Sequence, residues 1–158
     1  VVDHDVRVET RRPDLEEARA IAEVWLRSRA ASVPAIPKPV HTDDEVRSYF
    51  DAVVATKDVW VTDERGGIAA LLVLDGGWID QLYVDPDHFG KGHGSSLIAV
   101  AKRQRPAGLK LWTFEANSRA RRFYERHGFV VTGGTDGKNE EGAPDVRYEW
   151  RPCASSDT

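Results

Sequence analysis

The sequence predicts a mixed α/β (α+β) domain with a largely antiparallel sheet, and three observations lead there. Three short apolar runs, 59–63, 68–74 and 78–84, are separated by Arg65-Gly-Gly67 and Asp75-Gly-Gly77. Glycine pairs between such runs mark consecutive hairpins. A strand, glycine loop, helix and strand then follow from 78 to 114, a crossover that returns its second strand parallel to the first. Two stretches with apolar residues at helical spacing precede the runs.

Residues 5–10 (DVRVET) alternate apolar and polar, as a half-buried strand does. From Asp14, the apolar positions Leu15, Ala18, Ile21, Ala22 and Trp25 recur at helical spacing, and Asp14, Glu16 and Glu17 suit the positive end of the helix dipole. Pro34, Pro37 and Pro39 break that helix and mark a loop. Thr42-Asp-Asp-Glu45 reads as a capping box, with Val46, Tyr49, Phe50 and Val53 on one face of the helix it opens. After the three strand runs, Pro86 ends the last of them. A helix from about Gly92 to Arg103, the strand Leu109–Phe114 and a helix Ser118–Arg126 come next. Gly128 suits the left-handed position past that helix. Strands around Phe129–Thr132 and Arg147–Trp150 flank a polar loop. No repeat or long linker divides the chain, so 1–158 reads as one domain with a tail from about 152.

A chain of 158 residues can bury a proper core, and its 41% hydrophobic and 30% charged residues are ordinary for a globular domain. A net charge of −4 argues against a nucleic-acid or anionic-membrane partner. No apolar run approaches the roughly 18–20 residues of a membrane span. No secretory signal is visible, and because the chain opens at Val1 without methionine a short preceding piece is expected. Cys153 is the single cysteine, so no intramolecular disulfide forms; a cytoplasmic setting is the expectation. At the tail, Cys153 is expected neither as nucleophile nor as metal ligand, and no metal is called for.

The segment from Leu82 through Tyr83, Val84 and Asp85 to Phe89-Gly-Lys-Gly-His-Gly94 and Ser95 runs from strand through loop to helix, with glycines at 90, 92 and 94. Glycine permits positive φ and close approach of a ligand, and the free N–H groups and dipole of a helix start favour an anion. Lys91 adds positive charge. A nucleotide P-loop fails, because Gly90-Lys91 is followed by Gly92 rather than Ser or Thr. A dinucleotide G-x-G-x-x-G/A is weakened: the sixth position is Ser95 counted from Gly90 and Leu97 counted from Gly92. Glu115, at the end of the next strand, does stand where the ribose-binding acid of such a fold would be.

One strand later comes Asn117-Ser-Arg-Ala-Arg-Arg-Phe-Tyr-Glu-Arg-His-Gly-Phe129. Together with the loop, this segment resembles the GNAT N-acetyltransferase superfamily. That family has an R/Q-x-x-G-x-G/A pyrophosphate loop, here Phe89 to Gly94, and often N-x-x-A-x-x-F-Y-x-x-x-G-F, matched here in full. The resemblance covers about 59–134 strongly. It departs at Phe89, where the family usually has Arg or Gln. Backbone contacts from the loop are expected to remain, and Phe89→Arg or Phe89→Gln is expected not to weaken cofactor binding.

The resemblance implies acetyl transfer from acetyl-CoA, as co-substrate, to a primary amine of a small molecule or peptide by direct attack. Its different-class alternative is a non-catalytic acyl-CoA-binding or sensing domain; a peptide N-terminus is another acceptor it allows. It implies that 78–84 splays from 109–114 to open the acyl-CoA cleft, with the pantetheine arm along Leu82, Tyr83 and Val84. The loop residues Phe89, Gly90, Lys91, Gly92, His93, Gly94 and Ser95 would hold the pyrophosphate. Asn117 would contact the arm or cap its helix, and Arg119 or Arg122 would reach the 3′-phosphate. Tyr124 is either a core aromatic or the general acid for the departing thiolate. The base is Asp80 or Glu115, a water relay takes the role, or there is no dedicated base. Alternation along the strand puts Asp80 with Leu82 and Val84 on one face, and Gln81 with Tyr83 on the other. His88 and His93 are expected to be solvent-exposed. Trp25, Tyr49 and Phe50 are acceptor-pocket candidates and equally core candidates. Homodimers are common in the family, though no feature of this sequence specifies one.

Overall fold

The computed structural model describes residues 8–33 and 36–153. Seven strands form one sheet in the order β1-β2-β3-β4-β5-β7-β6. They are β1 (Thr10–Arg11), β2 (Asp58–Glu64), β3 (Gly67–Asp75), β4 (Trp78–Val84), β5 (Leu109–Phe114), β6 (Val130–Gly134) and β7 (Asp145–Trp150). The helices are α1 (Ala18–Ser32), α2 (Asp43–Thr56), α3 (His93–Gln104) and α4 (Ser118–Arg126). Residues 5–7 of the expected first strand, and Pro34 of the expected loop, lie outside the described residues.

The two hairpins form as the paired glycines require, and every pairing is antiparallel except β4 with β5. The interior strand β3 reads Ala-Ala-Leu-Leu-Val-Leu, and both of its faces are covered. Ala70, Leu72 and Leu74 pack with Leu97, Ile98 and Ala101 of α3 and with Tyr124 and Phe129. Leu71 and Val73 turn the other way, onto Ile21, Trp25 and Phe50 of α1 and α2. The capping box opens α2 as its sequence implies: the Thr42 hydroxyl accepts from Glu45 N at 3.1 Å, and Glu45 accepts from Thr42 N at 2.8 Å.

Two features of β4 position the site. Beside β5 its register contact is Trp78 with Lys110, where Lys110 N donates to Gly77 O at 3.0 Å, and beyond it the strands separate. β4 also carries a bulge. Ile79 pairs with Leu74 and Gln81 with Val73, so Asp80 is the extra residue. Ile79, Leu82 and Val84 therefore share the α3/α4 face, while Tyr83 packs on α1 and α2. The expected strict alternation fails here. Asp80 leaves the Leu82/Val84 side and accepts a hydrogen bond from the Tyr49 hydroxyl of α2 at 3.1 Å.

Candidate active site

The parting of β4 and β5 opens a cleft of about 1480 Å³ between α1/α2 and α3/α4. The glycine loop forms one end. Gly90 and Gly92 have φ of 77° and 90°, which favours glycine. Gly92 is the N-cap of α3 and has no side chain to satisfy the first-turn N–H groups. Those donors have no side-chain cap. Gly94 answers to space instead: a Cβ there would lie 3.0 Å from the Phe123 ring. Glycine thus lets α3 pack directly on α4 at the mouth of the cleft.

Phe89 takes on a contact the sequence did not announce. The Arg119 guanidinium stacks on its ring, 3.8 Å from the centroid. Arg119 and Arg122, both exposed on α4, line the cleft. Ser95 also lines it, with its hydroxyl 3.0 Å from His127 Nε2. Lys91 does not line the cleft; its Nζ lies 3.5 Å from Glu64 Oε1 and from His88 Nδ1.

His93 corrects an expectation. It is 1% exposed rather than solvated, because the first turn of α3 drives its ring beneath the loop onto β2. Nδ1 lies 2.8 Å from the Thr62 hydroxyl. Nε2 is 3.2 Å from Glu64 Oε2 but not aligned for a hydrogen bond. Burial outweighs the pull of Glu64 and lowers the His93 pKa, so the ring is neutral near pH 7. His88 is half-buried and packs edge-on against His93.

Asn117 caps α4, accepting from Ala120 N at 3.2 Å, and also lines the cleft. Both readings of that residue are therefore compatible with its position. Leu82, Tyr83 and Val84 are half-buried along the diverging part of β4, and all three line the cleft. Tyr124 is 7% exposed, packed between Phe123, Phe129 and Tyr148, yet it reaches the cleft wall. Its hydroxyl makes no hydrogen bond among the described residues. Burial, and secondarily the nearby Tyr83, pushes the phenol pKa well up, so the group carries its proton.

Asp80 lines the cleft, whereas Glu115 is exposed and does not. The geometry brings Asp80 and Tyr124 into one cavity and leaves Glu115 outside it. Trp25, Tyr49 and Phe50 all line the cleft's α1/α2 side. Phe50 is also fully buried, so the pocket and core readings hold together. Arg29 was missed by the sequence reading. It sits on the buried stripe of α1, eight residues after Ile21, and faces the same cavity.

Residues 52–131 match the acetyltransferase (GNAT) domain. The peptidyl-lysine N-acetyltransferase YjaB of Escherichia coli K12 is 32% identical over 129 residues, covering 80% of this chain and 84% of that one. The solution structure of apo YjaB from E. coli superposes with a TM-score of 0.74 and 26% identity, over 90% of this chain and 97% of the other. The PaiA N-acetyltransferase of Thermoplasma acidophilum, solved with coenzyme A, shares the fold at a TM-score of 0.65. It is 15% identical, with 93% of this chain and 100% of that one covered. With the splayed strands, the glycine-led helix and the Asn117–Phe129 motif in one cleft, the chain belongs to the GNAT acetyltransferase family and is an acetyltransferase.

Proposed function

We propose that the protein transfers the acetyl group of acetyl-CoA to a primary amine by direct attack. The observation that carries this reading is the meeting, in one cleft, of the glycine-led start of α3, the free edge of β4 and the largely buried side chain of Tyr124. The residues fit the co-substrate. First-turn amides and Arg119 with Arg122 suit its phosphates, and the unpaired edge at Leu82 to Val84 suits an extended amide-bearing arm. Acetyl-CoA supplies the activated acyl group as a thioester.

Each remaining role falls to a residue of the chain. Asp80, held by Tyr49, receives the proton of the acceptor ammonium, directly or through water. An alkylamine with pKa near ~10.4 is neutral only about once in 10³ at pH 7, so this step matters. The amine nitrogen then bonds to the acyl carbon as the carbon–sulfur bond breaks. Tyr124 delivers its proton to the leaving thiolate, the second proton shed by the attacking nitrogen returns through water to the Tyr124 phenolate, and the apolar wall that raises the phenol pKa also raises the thiolate's basicity. The acceptor binds on the α1/α2 side, where Trp25, Tyr49 and Asp80 line the cleft. A lysine side chain of a peptide, the acceptor in the name of the bacterial relatives, is an amine of this class. Acetyl-CoA is supplied in the cytoplasm, and that is the setting this reading carries.

A coupled thiol-release assay with acetyl-CoA and a broad amine panel tests it. Turnover with at least one amine, lost in Tyr124→Phe, is expected. Coenzyme A binding with no amine acetylated would overturn it in favour of an acyl-CoA sensor.

A further inference from the structure

We propose that Arg29 anchors a carboxylate on the acceptor, so that the preferred substrate is a small molecule holding both an amine and a carboxylate, a free amino acid or a close analogue. The inference rests on the N-acetyltransferase reading of this cleft and adds its substrate class.

The buried stripe of α1 runs through Ala18, Ile21, Ala22 and Trp25, and helical geometry carries it on to Ser28 and Arg29. A cation thus stands where the pattern calls for an apolar residue. Arg29 is 5% exposed. Its Nη2 donates to Pro37 O at 3.1 Å, the Tyr83 side chain lies against the guanidinium, and Nε is buried with no partner among the described residues. The guanidinium carbon lies 5.0 Å from the Trp25 ring and 5.6 Å from that of Phe114, which hold it between α1 and the diverging end of β5.

Among the described residues no carboxylate comes within ion-pair distance of Arg29. The acids that share the cleft are engaged elsewhere: Asp80 with Tyr49, Asp44 with Arg47, Glu45 with Thr42, Glu140 with His41, and Asp145 with Thr135. Glu141 also lines the cavity, beyond that distance. A buried guanidinium with an open donor is costly until a partner completes it, and its planar fork matches a carboxylate with two parallel hydrogen bonds. Arg29 faces the α1/α2 side, the side on which Asp80 stands. One ligand can therefore set its ammonium at Asp80 and its carboxylate at Arg29. A lysine within a peptide blocked at both ends offers no such carboxylate.

The test measures kcat/KM for free L-amino acids, for their carboxamides and for a terminally blocked lysine peptide, using wild type, Arg29→Gln and Arg29→Lys. In parallel, the same amino acids are titrated calorimetrically into coenzyme A-saturated protein. Wild type should prefer an acid over its amide by about 30-fold or more. In Arg29→Gln that ratio should fall to within about threefold through loss of turnover of the acid, with Arg29→Lys between the two. If no amine is acetylated but wild type binds amino acids and Arg29→Gln does not, the transfer reading falls and this inference stands. Equal handling of acid and amide by wild type, an unchanged ratio in Arg29→Gln, or the blocked peptide as the best acceptor would overturn it. Should the variants fail to fold, the wild-type ratio alone decides.

Discussion

The guanidinium of Arg119 lies 3.8 Å from the centre of the Phe89 ring, a contact that joins the loop before α3 to the first turn of α4 across the mouth of the cleft. At a loop position where the sequence motif leads one to expect Arg or Gln, this chain has an aromatic ring that holds an arginine. An exposed cation–π pair contributes about 0.5–1 kcal/mol. Phe89→Ala and Arg119→Ala should each weaken coenzyme A binding a few-fold by calorimetry. The double variant should be less impaired than the product of the two. The loss should shrink for 3′-dephospho-coenzyme A if Arg119 meets that phosphate. Additive effects would show that the ring does not prepare the arginine.

Gly92 combines a φ of 90° with the N-cap of α3. Gly92→Glu strains the turn and sets a carboxylate beside the first-turn amides, so the coenzyme A Kd should rise about tenfold or more. Unchanged affinity in a folded Gly92→Glu protein would remove the pyrophosphate from this loop.

Asp80→Asn should lower kcat/KM and abolish the acidic limb of its pH profile. Tyr49→Phe, which removes the hydroxyl that holds Asp80, should have a smaller effect in the same direction. A profile that keeps its shape in Asp80→Asn would transfer the role to water or to Glu115.

Buried, neutral His93 gives stability a pH dependence whose sign is set by its lowered pKa. The unfolded chain takes up its proton near pH ~6.5, the folded protein at lower pH. The contribution is therefore complete above that range and is lost as pH falls from about 6.5 toward the depressed folded value. His127, lowered by burial first and Lys102 second, acts in the same sense. Thermal unfolding from pH 7.5 to 5.5 should show a falling Tm, with a shallower fall in His93→Gln. Parallel curves would refute the assignment.

Tyr124→Phe removes only a hydroxyl that has no hydrogen bond among the described residues, so Tm and coenzyme A affinity should hardly change. General-acid steps contribute about 10²- to 10⁴-fold, and kcat should fall by an amount in that range. A kcat within about twofold of wild type, with chemistry rate-limiting, would leave Tyr124 a packing residue.

Features set by neighbours along the chain were legible in the sequence. Apolar spacing placed α1 and α2, and the paired glycines at 66–67 and 76–77 placed the hairpins. The Asn117–Phe129 motif placed α4 with its cap. The glycines at 90 and 92 marked the loop that leads into α3, since a positive φ is a local demand, whereas Gly94 answers to the distant Phe123 ring. The remaining features depend on partners far apart in the chain and emerge only on folding. The bulge that turns Asp80 toward Tyr49 arises from the register of β4 on β3, which no run of seven residues records. β7 entering between β5 and β6, His93 lying under the loop against Thr62, and Phe89 meeting Arg119 are likewise products of packing. Arg29 stands between the two kinds: its place on the buried stripe was readable from the period of α1, but its open donor emerged only once the carboxylates around the cleft had found other partners.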